Sequence, residues 1–190
     1  MRRIAALFVL PLLLLLIPWS GMAAAATSKA AYDWHVADQF LHEAVGSPLG
    51  AIASADNGDT ITVQGSGQFD VAAKTASGSG TLLHKDAAGQ VLATGTFTAN
   101  RLISFTFYGC GIPGLPGSEN LCGGLAKLDV TAHPDGTSLY LPATLWIDCL
   151  IGNFPPSGAE GVRLNVKDVI NFNKSLSEED GSGFTVFVRH

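Results

Sequence analysis

The residues that can do chemistry are few, and their spacing decides what they can do. Gly109-Cys-Gly111-Ile-Pro-Gly114 has the spacing of a dinucleotide-binding loop. That loop needs a helix starting at its end, so that free backbone amides meet the pyrophosphate. Pro113, Pro116 and Gly117 forbid the helix, so no cofactor is expected. His35, Asp38 and His42 share one line of a helix, but His35 and His42 lie about 10.5 Å apart along the axis at 1.5 Å per residue. A closed metal site would need ligands from elsewhere, with His84 and His133 as the candidates. A solvated polar face explains the trio better, and no metal is expected.

Acid and nucleophile chemistry is no better marked. No G-x-S-x-G occurs, so a serine nucleophile has no sharp turn to sit on. Asp148 can pair with Glu160 or Asp129 as an acid/base couple, which is the basis for an alternative reading as a secreted hydrolase. Cys149 has the parity of Leu145 and Ile147, which suits packing rather than nucleophilic attack. Tyr140 and Trp146, together with Tyr108 beside the loop 109–124, offer aromatic faces for stacking on sugar rings. Tyr140 and Trp146 would stand about 20 Å apart along one strand, a span that fits a chain and not one monosaccharide. The Gly/Pro-rich loop 109–124 is long for a hairpin connection and is a candidate for recognition. These features point to a non-catalytic domain that binds an extracellular glycan or a cell-envelope protein, with Tyr108, Tyr140 and Trp146 as ligand-binding residues.

The elements that must position these residues follow from charge and periodicity. Met1-Arg2-Arg3, the charge-free run Ile4–Ile17 and the small residues Ala23–Ala26 have the order of a secretory signal peptide, residues 1–26, cleaved before Thr27. The alternative is an uncleaved anchor, but the fourteen-residue run spans only about 21 Å as helix. The product is expected to be extracellular, with no membrane association once the signal is removed. The chain carries 11 Lys and Arg against 16 Asp and Glu, net −5, and no basic block. Nucleic acid is therefore excluded as a main partner. Of three cysteines, Cys110 and Cys122 bracket a turn-rich loop, so the expected disulfide joins them and leaves Cys149 free. Asn173-Lys-Ser is a glycosylation sequon, meaningful only in a eukaryotic source.

Trp34, Ala37, Leu41 and Ala44 recur at helical spacing, which predicts a helix over 31–45 ended by Gly46, within an N-terminal helical segment 27–48. From Leu49 the period becomes two. Asp56-Asn57-Gly58 is a hairpin signal, and Ile61, Val63, Gly65, Gly67 and Phe69 share one face. Further alternation places Gly80 to His84, Val91 to Phe97, Leu102 to Tyr108, Ala126 to Ala132, Leu139 to Leu150, Val162 to Val166 and Phe184 to Val188 in strands, with Ile170 and Phe172 continuing an edge. Ile103, Phe105 and Phe107 are expected to face inward. The fold class is all-β: an antiparallel sandwich or flattened barrel of about eight or nine strands, forming one domain over 49–190 behind the short helix.

Overall fold

The computed structural model describes residues 30–190; the signal segment and its cleavage point before Thr27 lie outside them. Eleven strands and one short helix follow in order: β1 (Ala31–Val36), α1 (Gln39–Val45), β2 (Ala51–Ser54), β3 (Thr60–Asp70), β4 (Thr75–Lys85), β5 (Val91–Cys110), β6 (Leu121–Pro134), β7 (Leu141–Cys149), β8 (Gly161–Val166), β9 (Ile170–Phe172), β10 (Lys174–Ser175) and β11 (Thr185–Arg189). All pairings are antiparallel, and the sheet is ring-like, a flattened barrel.

The long strands β3, β4, β5 and β6 form one continuous wall. The opposite wall is divided along its length. Toward one end, β1 pairs with β3 over 65–70 and β11 joins β1 to the start of β6, closing a ring of six strands. Toward the other end, β2 pairs with β3 over 60–63 while β7 and β8 extend from β6. The stretch Ile170–Ser175 pairs first with β8 and then with β2. Counting that stretch as one strand, the second ring has eight. Barrel diameter grows with strand number, so the barrel widens from the six-strand end to the eight-strand end.

The expected helix over 31–45 is half right. Tyr32, Trp34 and Val36 are buried while Ala31, Asp33 and His35 are less so, the period of a strand. Aromatic and β-branched residues favour that choice. Ala37, at a φ of 41°, then breaks the chain direction, and Asp38 caps α1 by accepting from the Leu41 amide. Gly46 ends the helix in the left-handed conformation, as read from the sequence. The N-terminal segment is therefore not separate from the β domain, since β1 is a central strand of the sheet.

Strand β5 corrects a second expectation. It runs unbroken for 20 residues, with register shifts between Ala99 and Arg101 and again between Leu102 and Ser104. A bulge inserts a residue and flips the faces that follow. The inward series is thus Phe97, Ala99, Leu102 and Phe105, while Ile103 and Phe107 are exposed. The Cys110–Cys122 disulfide forms across the directly paired ends of β5 and β6, and Cys149 is free and buried.

Candidate functional site

The three aromatic residues expected to bind ligand are not brought together. Tyr108 is buried, and its hydroxyl donates to Asp148 Oδ1 at 3.2 Å. Trp146 lies in a cross-strand row on the outer wall, with Lys127 at 5.3 Å and Arg163 at 5.2 Å from its ring, so cationic side chains already occupy that aromatic surface. Tyr140 is 70% exposed, precedes β7 at the wide end, and stacks on His133 at 4.7 Å. The loop after Cys110 is held to itself by Ser118, whose hydroxyl donates to the Leu115 carbonyl and accepts from the Ile112 amide.

The carboxylates are engaged in holding the fold. Asp148 accepts from Tyr108, the Ala159 amide and Arg163 Nη2. Glu160 accepts from the Leu150 amide and from both the amide and hydroxyl of Thr185. Burial pushes both acids above their ordinary range, and their mutual repulsion adds to the shift of Glu160. Asp129 is half-buried on β6 beside Arg101 and Asn100, four pairs from Asp148 along the sheet, about 13 Å at strand spacing. Burial and the nearby Glu160 raise the Cys149 thiol well above its usual value, so it is a poor nucleophile. His35 bonds the cap residue Asp38 at 2.6 Å, and His42 bonds the Ser47 carbonyl. Among the described residues no group of His, Cys, Asp and Glu is placed to hold a metal.

An apolar feature with room for a ligand lies elsewhere, inside the wide end. A cavity of about 200 Å³ opens there between the last turns of β3–β6 and the β7–β9 wall. Its lining is almost wholly apolar, with Ile61, Leu82, Leu141, Leu164, Val166 and Phe172 as the bulky members. The space exists because the wall opposite carries small residues. Ala93, Gly95 and Ala132 present nothing longer than a methyl group, and a Cβ at Gly95 would strike the His133 carbonyl at 2.5 Å. The rim is apolar too: Val91 and Val169 are more than half exposed there.

One side chain in this wall is titratable. His84 shares the inward parity of Leu82, and its Nε2 lies 3.0 Å from Asp59 Oδ2 in the β2–β3 turn. Its ring meets Phe172 edge-on at 5.2 Å. Sequence reading passed over this pair because Asp56–Asp59 looked like turn chemistry alone. The available signal was the parity: a histidine two residues after an inward leucine, in a strand paired to one headed by an aspartate. No family model matches the chain, and neither the curated proteins nor the solved structures provide a significant match to it.

Proposed function

We propose that this chain is exported and acts outside the cytoplasm as a non-catalytic binding domain, and that its ligand is a small apolar molecule, or the apolar end of a larger one, held in the wide end of the barrel. The signal-like N-terminus and the Cys110–Cys122 bridge support an oxidising destination. The observation that carries the ligand assignment is the apolar cavity open at an apolar rim, since barrel mouths are a preferred place for such sites. A cavity of about 150 Å³ admits benzene, so this one suits a single substituted ring or a short alkyl chain. A longer molecule would leave over Val91 and Val169.

This reading keeps the binding role inferred from the sequence and changes its chemistry. A glycan or an envelope protein would have Tyr140 as its exposed aromatic contact, with Tyr108 and Trp146 already engaged. The hydrolase alternative asks for carboxylates free to meet a substrate, and Asp148 and Glu160 are committed to donors of the protein itself. Isothermal titration of the purified protein with 4-propylphenol tests the proposal. Saturable one-to-one binding that disappears in Ala93→Leu supports it; no binding, or binding that Ala93→Leu leaves unchanged, removes the wide end from consideration.

A further inference from the structure

Of the side chains lining the cavity, only His84 and Thr94 carry a group able to hydrogen-bond. Thr94 stands on the opposite face of β5 from Ala93 and Gly95, where its exposed hydroxyl donates to Asp135 at 2.6 Å. His84 is therefore the polar voice of the site. Asp59 determines what it can say. An ionised carboxylate only accepts, so the Nε2 that faces Asp59 must carry the proton. In the neutral ring, Nδ1 is then a bare acceptor, and no hydrogen bond from the described residues reaches it. The edge-on contact with Phe172 limits the ring's rotation. Nδ1 is not among the buried unpartnered atoms of the described residues, so water can pair with it in the empty pocket, and an apolar ligand that displaces that water without offering a donor would leave it unpaired at a cost.

We propose that the wide end selects small apolar ligands bearing a hydroxyl, alcohols or phenols, whose O–H donates to His84 Nδ1, with Asp59 as the residue that fixes the tautomer. This rests on the reading of the wide end as a ligand pocket and adds the head group to it. His84 retains 23% side-chain exposure, so water competes, and the selectivity is that of one neutral hydrogen bond, about fivefold to tenfold.

The test compares two ligands of nearly one shape, 4-propylphenol and 4-propylanisole, by isothermal titration at about pH 8. The phenol is expected to bind about fivefold to tenfold more tightly. His84→Phe should bring the two affinities together by weakening the phenol alone. Asp59→Asn, whose amide can offer either an acceptor or a donor to Nε2, should narrow the ratio while both ligands still bind. A role for His84 in stability alone would move both affinities equally. Equal affinities in the unaltered protein would overturn this inference and leave the pocket standing, whereas failure of both ligands to bind would overturn the pocket reading as well.

Discussion

The two ends of the barrel are built from the same four long strands, yet one is plugged and the other hollow. At the six-strand end Tyr32, Phe69, Phe105 and Phe187 interlock with ring centres 4.9–5.6 Å apart. Above them Trp34 and Phe97 stack at 6.2 Å over a floor of glycines, where Gly65 faces Gly80 and Gly67 faces Gly78 across β3 and β4. The glycines are what admit the rings: a Cβ at Gly67 would meet the Trp34 ring at 2.8 Å, and one at Gly80 would meet Phe97 at 2.5 Å. At the eight-strand end the circumference is larger, and apart from Phe172 and His84 the facing residues are aliphatic or small. Large rings against glycine fill a narrow barrel; leucine and valine against alanine leave a wide one partly empty. Stability is thus concentrated at one end, which lets the other keep a cavity.

The sharpest way to break this contrast is to add volume at each end. Gly67→Val forces a branched side chain into the Ser77 carbonyl, the Gly78 backbone and the Trp34 ring. It should cost more than about 4 kcal/mol in chemical denaturation, or prevent folding. Ala93→Leu adds similar bulk where space exists, and should change stability by less than about 1.5 kcal/mol. Equal losses at the two sites would show that the wide end is not hollow.

Removing volume gives the next largest effect. Trp34 is fully buried, and its indole N–H donates to the Ser77 carbonyl, so Trp34→Ala should cost about 3–5 kcal/mol. Leu82 already borders a cavity, and Leu82→Ala should cost under about 2 kcal/mol. Thermal unfolding monitored by circular dichroism ranks the pair. Replacing both Cys110 and Cys122 by serine opens a loop with a separation of 12 residues. The expected cost is about 3 kcal/mol or less, with affinity at the distant wide end unchanged.

The smallest effect is on pH dependence. Burial raises Asp148 and Glu160 in the folded state, so there the native protein binds more protons than the unfolded chain. These two groups therefore favour folding at low pH, and their contribution falls as pH rises from the ordinary carboxylate range near 4 through their raised values. Asp148→Asn should flatten that part of a stability-against-pH curve measured by urea titration. A steeper decline in the variant would reverse the sign.

Much of this contrast is written in the sequence. The alternation Ile61-Val63-Gly65-Gly67-Phe69 shows an inward face that turns from aliphatic to glycine along one strand, and Cys110 and Cys122 announced their bridge by bracketing a loop that could not fold alone. What stayed hidden depended on register. The β5 bulges exchange Ile103 for Leu102 as the buried residue, and no local pattern marks them. Residues 31–36 satisfied two periods at once, and only pairing with β3 and β11 decides between them. The wide-end site was illegible for a further reason: it is a space, made by the number of strands around it and by residues from seven strands, and His84 gains meaning only once Asp59 is beside it.

Methyl-resolved NMR reads directly where an apolar ligand goes. On titration with 4-propylphenol, the methyl signals of Ile61, Leu82, Leu141, Leu164, Val166 and Val169 should shift, while those of Val36 and Leu102 at the packed end stay in place. Shifts confined to the packed end, or no shifts at a concentration where 4-propylphenol is soluble in large excess, would contradict a barrel with one plugged end and one open one.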